Sequence, residues 1–89
     1  MHEVLLSATF LRQFRKLGDE TQERLRQALA VLADDPLTPR PKADIKRLAG
    51  TDPVKHRLRV GDWRIVYAVD GPTVRVLEVF ARGRGYRLD

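Results

Sequence analysis

The sequence predicts an α+β fold: an N-terminal strand and an αα-hairpin, followed by a three- to four-stranded antiparallel sheet. Three observations lead there. Apolar residues change to helical spacing at Ser7, the proline-rich stretch DDPLTPRPK closes the helical region, and three alternating segments follow, separated by Gly61-Asp62 and Asp70-Gly71-Pro72. At 89 residues the chain forms one domain, 1–89, with a basic tail at 82–89; it is long enough for one modest core and too short for two.

His2–Leu6 reads as a short opening strand. Phe10, Leu11, Phe14 and Leu17 then share one helical stripe, with Ser7 as the expected N-cap and Gly18 as the stop. Asp19 is expected to cap a second helix, and Gln22 completes a capping-box spacing. Its apolar stripe is Leu25, Ala28, Leu29 and Leu32, which needs a sheet to cover. Asp34–Lys42 is a surface connection within the domain, and Ile45–Leu48 a short strand. The remaining strands are Val54–Val60, Trp63–Val69 and Thr73–Ala81.

Register turns this outline into a site. A two-residue loop at Gly61-Asp62 pairs Val60 with Trp63, so Val54, His56, Leu58 and Val60 share the core face with Trp63, Ile65, Tyr67 and Val69. The other face then carries Lys55, Arg57, Arg59 and Arg64, with Arg59 opposite Arg64. For the next turn a three-residue loop, Val69 opposite Thr73, buries Leu77, Val79 and Ala81. It also keeps Glu78 out of the core, opposite Arg64. Arg82 joins the basic face at the strand's end, and Arg75 stays near the hairpin tip in water.

Packing gives no reason to gather these cations, because like charges facing each other across strands destabilise a sheet. A solvated outer face is the plain alternative. A groove for a polyanion, RNA first, accounts for the cost, since arginine forks match phosphate oxygens bidentately. The net charge of +5 agrees, although thirteen Arg against four Lys fits genomic base composition equally well, so placement decides more than total.

Other chemistries find little support. The chain has no Cys, and His2 and His56 without clustered carboxylates make no metal site; no cofactor is called for. His56 falls on the core side with Leu58, which makes it a packing or boundary histidine, and Trp63 and Tyr67 read as packing too. Gly83-Arg84-Gly85 opens no helix and is no dinucleotide fingerprint. The N-terminal stretch has no signal-peptide layout and no apolar run approaches about 20 residues, so the expected location is cytoplasmic, with no membrane partner.

The chain resembles toxins of the RelE/ParE superfamily, closest to the RelE type. The matching residues are KRLAG at Lys46–Gly50, KHRLRVGDWRIVYAV at Lys55–Val69 and RGRGYR at Arg82–Arg87, together with the opening strand and αα-hairpin. The resemblance implies a ribosome-dependent endoribonuclease that cuts mRNA in the A site by 2′-hydroxyl attack on the adjacent phosphate. It assigns the site to Lys55, Arg57, Arg64, Arg82 and Tyr86. Two departures are present: Arg57 stands where RelE has lysine, and the tail before Tyr86 is short.

In that assignment Lys55, set among arginines that disfavour its charged form, is the general base. Arg57 and Arg64 hold the phosphate and its growing charge. Arg82 lies near the leaving 5′-oxygen, where an arginine acts electrostatically because it releases its proton too reluctantly to be an acid. Tyr86 orients substrate by stacking. Lys46, Arg47, Arg59, Arg84 and Arg87 are expected to contact RNA or ribosome. The implied partners are a RelB-like antitoxin, the ribosome and mRNA, with operator DNA reached only through the antitoxin complex. The competing functions are a ParE-like gyrase inhibitor without nuclease activity and a passive RNA- or ribosome-binding module.

Overall fold

Five strands form one sheet, in the spatial order Glu3–Leu6, Thr73–Ala81, Trp63–Asp70, Lys55–Val60 and Asp44–Leu48, with Trp63–Asp70 at its centre. The computed structural model describes residues 1–83. Along the chain the elements are β1 (Glu3–Leu6), α1 (Ala8–Arg15), α2 (Asp19–Asp34), β2 (Asp44–Leu48), β3 (Lys55–Val60), β4 (Trp63–Asp70) and β5 (Thr73–Ala81). Strands β2 to β5 pair antiparallel, and β1 adds to β5 in parallel. The expected α+β architecture is the one observed, with the opening strand joined to the far edge of the sheet. No helix among the described residues is long and apolar enough to cross a membrane.

The two helices cover one face. Phe10 from α1 and Leu25, Ala28 and Leu32 from α2 pack with Ile45, Leu58, Ile65, Tyr67, Val74, Val76 and Val79 of the sheet. Ser7 caps α1 as expected, its Oγ accepting from the Phe10 amide at 2.9 Å. The second cap differs. Gly18 is the N-cap of α2, Asp19 is its first residue, and no side chain caps the helix. Gln22 bonds elsewhere, its Nε2 donating to the Phe14 carbonyl at 3.0 Å and so tying α2 to the end of α1. Asp19 still suits its position, because a carboxylate in the first turn complements the helix dipole.

The connection from α2 to β2 is held by polar bonds. The Asp35 carboxylate accepts from the Leu37 and Thr38 amides at 2.9 and 3.1 Å. Bonds from Thr38 and Leu37 hold its carboxyl down at about 2. Arg40 reaches back to the end of α2 and donates to the Val31 carbonyl at 3.1 Å. Tyr67, fully buried in the central strand, donates its hydroxyl to the Pro36 carbonyl at 2.7 Å, and burial pushes its phenol above the usual range.

The first hairpin has the expected register: Val60 opposite Trp63, Arg59 opposite Arg64, Leu58 opposite Ile65. The second does not. Its loop is the two residues Gly71-Pro72, with Asp70 opposite Thr73, and Val74 and Val76 face the core. An irregularity between Val66 and Tyr67 then gives β5 one extra residue, Leu77, which shifts the register. Glu78 stays out of the core as expected, but opposite Val66, while Phe80 faces Arg64. Leu77 lies on the outer face rather than in the main core, packed against Leu48, Val66 and Phe80. A bulge reconciles a two-residue loop with an outward Glu78, because it resets side-chain parity in mid-strand. Val54, expected on the core face, precedes β3 and is exposed.

Candidate nucleic-acid interface

Cross-strand pairing fixes what the face turned away from the helices presents. Ile45, Leu58 and Ile65 align across β2, β3 and β4 on the core side, so their neighbours alternate outward. The outer face therefore carries Asp44, Lys46 and Leu48 from β2, and Lys55, Arg57 and Arg59 from β3. Arg64 and Val66 come from β4, and Glu78 and Phe80 from β5. Lys46 lies opposite Arg57, Arg57 opposite Val66, and Arg59 opposite Arg64.

The β3–β4 turn anchors two of the cations. Gly61 takes a positive φ of 59° while Asp62 does not, the sign pattern of a type II′ hairpin turn. Arg64 bends back over this turn, its Nη1 donating to the Gly61 and Trp63 carbonyls at 3.0 Å each. The Arg82 amide donates to the Asp62 carbonyl at 2.7 Å, which seats Arg82 beside the same turn. On the turn's other side the Arg24 guanidinium of α2 approaches so closely that a Cβ on Gly61 would lie 2.5 Å from its Nη2.

The electrostatics show the convergence. The Arg64 guanidinium is held below its usual range, first by burial and then by the charges of Arg59, Arg57 and Arg82, with Asp44 opposing. Three expected site arginines thus lie within electrostatic reach of a fourth. Lys55 stands at the start of the same strand as Arg57 and Arg59, half-buried, its backbone amide held by Thr51 Oγ1 at 2.9 Å. Lys55 and Arg59, four residues apart in one strand, are separated by about 13 Å along it.

One expected placement changes. Arg47, grouped with the RNA contacts, points to the other face: it pairs with His56, and burial together with the Arg47 charge lowers the His56 imidazole's pKa. Strand alternation separates it from Lys46, which does lie on the basic face. His56 stacks on Tyr67 with ring centroids 5.5 Å apart, in the packing role expected for it. Tyr86, Arg84 and Arg87 lie outside the described residues.

Two features escaped the sequence reading. The counter-charge on this face is Asp44, with Oδ1 3.8 Å from Arg57 Nη2 and Oδ2 4.0 Å from Arg59 Nη1. Its signal was available, since alternation from Ile45 places Asp44 outward. The second is an apolar floor of Leu48, Val66, Leu77 and Phe80 among the cations, which depends on the bulge.

A βαα unit backed by an antiparallel sheet, with an arginine cluster on the helix-free face, defines a small α+β protein with one basic outer face. Comparison with known proteins narrows the class. A family model described as "ParE toxin of type II toxin-antitoxin system, parDE" matches residues 4–86. A search of curated proteins returned no match. Among solved structures, RelE in the archaeal RelE–RelB complex of Pyrococcus horikoshii OT3 superposes with a TM-score of 0.79 at 26% identity, covering 94% of this chain and 98% of that one. The isolated E. coli RelE toxin gives 0.70 at 25% identity, covering 96% and 88%. The RelBE2 complex of Mycobacterium tuberculosis gives 0.68 at 25%, covering 91% and 98%. The chain belongs to the ParE-toxin family and is a toxin of the RelE/ParE superfamily of type II toxin–antitoxin systems.

Proposed function

We propose that this toxin is a ribosome-dependent endoribonuclease that cleaves mRNA in the A site. The observation that carries the reading is the strand register that sets Arg57, Arg59 and Arg64 on one face with Lys55, beside the turn to which the Arg82 amide is bonded. Lys55 takes the proton of the 2′-hydroxyl, whose oxygen attacks the adjacent phosphorus. Arg57 and Arg64 hold the non-bridging oxygens as the phosphorane's negative charge grows. Arg82 stabilises the departing 5′-oxygen electrostatically, and Tyr86 stacks on substrate. Arg59, Lys46, Arg84 and Arg87 contact RNA or ribosome without reacting. The set has no His/Glu acid–base pair, so the ribosome supplies substrate alignment and activity on free RNA is weak.

The similar Pyrococcus horikoshii and E. coli complexes pair RelE with RelB, which supports a RelB-like antitoxin as partner here. An acidic or amphipathic antitoxin segment covers the basic face in the inhibited complex, operator DNA is bound through the antitoxin, and the toxin works in the cytoplasm. The family description names parDE, which favours a second reading as a gyrase inhibitor. Lys55, Arg57, Arg64 and Arg82 occurring together argue for the nuclease, because gyrase inhibition does not require that set.

Primer extension on ribosome-bound mRNA, with wild type and Arg64→Ala, tests the choice. Codon-positioned cuts lost in the variant are expected. Gyrase-linked DNA breaks without cuts would establish the second reading, and binding with neither would leave a passive module.

A further inference from the structure

We propose that Asp44 is a built-in counter-anion, which engages Arg57 and Arg59 in the free protein and must be displaced when a phosphate enters. The inference rests on reading the basic face as a phosphate site. Asp44 opens the edge strand β2 directly opposite Arg59, on the outer face. Its two carboxylate oxygens divide between the two guanidiniums, Oδ1 with Arg57 and Oδ2 with Arg59. One oxygen to each of two cations is also how a phosphate would bridge them.

The contact is made to be broken. At 3.8 and 4.0 Å it exceeds the roughly 2.7–2.9 Å of a charge-assisted hydrogen bond, so it is electrostatic without a formed bond. The Asp44 side chain is 55% exposed and the Arg57 side chain only 15%. A largely sequestered cation thus faces a solvent-side carboxylate. A phosphate forming true bidentate bonds to the arginines replaces the carboxylate, and the carboxylate turns to water with little loss. Asp44 therefore weakens the site for every phosphate and favours ligands that engage several cations at once.

The test uses two probes: inorganic tripolyphosphate, and a short single-stranded RNA blocked at its 2′-hydroxyls. Affinities are measured by titration for wild type, Asp44→Asn, Asp44→Glu, and Asp44→Asn in an Arg57→Gln/Arg59→Gln background. Asp44→Asn should bind tripolyphosphate roughly fivefold more tightly at low salt, the size one exposed ion pair carries, with the gain shrinking as salt rises. Asp44→Glu should stay close to wild type, and the gain should vanish in the Gln background. A purely structural role for Asp44 would instead lower affinity. Unchanged or weaker tripolyphosphate binding, or a gain that persists without the arginines, overturns the proposal. The expected tripolyphosphate pattern with RNA binding indifferent to Arg57 and Arg59 would overturn the RNA reading and leave the Asp44 competition standing.

Discussion

Gly61→Ala probes how the fold holds the site, because this glycine lies between Arg24 of the helical layer and Arg64 of the basic face. At φ 59° an alanine Cβ crowds the following carbonyl, which costs about 1–2 kcal/mol. The more restricted unfolded chain returns about 0.4–1 kcal/mol of that. The added Cβ would also stand 2.5 Å from Arg24 Nη2 and 3.3 Å from its Cζ, but these atoms end a flexible side chain and can swing aside. The net is a loss of about 1 kcal/mol, or roughly 4–8 °C in Tm for a domain of this size. Urea and thermal unfolding read that number directly. Asparagine tolerates the left-handed region better than alanine, so Gly61→Asn should cost less. In an Arg24→Ala background the cost of Gly61→Ala should fall only by a few tenths of a kcal/mol. The Gly61 carbonyl also accepts from Arg64, so ribosome-bound mRNA cleavage should drop about tenfold with the protein still folded. Alanine without cost, asparagine worse than alanine, or a coupling to Arg24 above about 1 kcal/mol would refute the reasoning.

Arg64→Ala should reduce cleavage by about 10²–10³ while changing stability by less than about 1 kcal/mol, and Arg64→Lys should recover little, because lysine lacks the planar fork. Single-turnover cleavage beside a urea melt checks both. Tyr67→Phe leaves the Pro36 carbonyl without its donor at a buried position; the urea midpoint should fall by the equivalent of about 1–2 kcal/mol, with cleavage unchanged below the melting range. The Asp35 carboxyl, held at about 2 against an ordinary 3.8, contributes stability that is present above 3.8 and lost as pH falls toward 2. Asp35→Asn should flatten that part of the acid-unfolding profile followed by circular dichroism.

Elements set by local chemistry were legible in the chain. Ser7 could be read as a cap because a hydroxyl before a helical stripe satisfies an orphan amide, and the Gly61-Asp62 hairpin because its length fixes its register. His56 could be set aside because parity in a strand is strict. The misreadings share another cause: each depended on a partner distant in sequence. Gln22 was free to complete a capping box but finds the Phe14 carbonyl of the preceding helix instead. Arg47 looked like part of a basic run, yet alternation across β2 turns it to the opposite face from Lys46. Asp44 gained its meaning only once β2 lay beside β3 and brought two arginines within reach.

The bulge at Leu77 shows how one such long-range detail shapes the site. With the two-residue turn at Gly71-Pro72 and no extra residue, β5 would place Glu78 opposite Ile65 in the core and Val79 opposite Arg64. A buried carboxylate without a partner is costly, and the added residue removes that cost by sending Glu78 outward opposite Val66. A bulge leaves backbone groups outside the regular ladder, and here helix α1 meets that stretch of strand. Ser7 Oγ donates to the Leu77 carbonyl at 2.7 Å, and the Val79 amide donates to Gln13 Oε1 at 2.7 Å. The same hydroxyl that caps α1 thus also secures the irregular strand. The consequence reaches the far face, where the residue opposite Arg64 is Phe80, an aromatic, in place of Val79. The negative charge that acts on Arg64 from this face is Asp44 of the edge strand β2, which also lies beside Arg57 and Arg59.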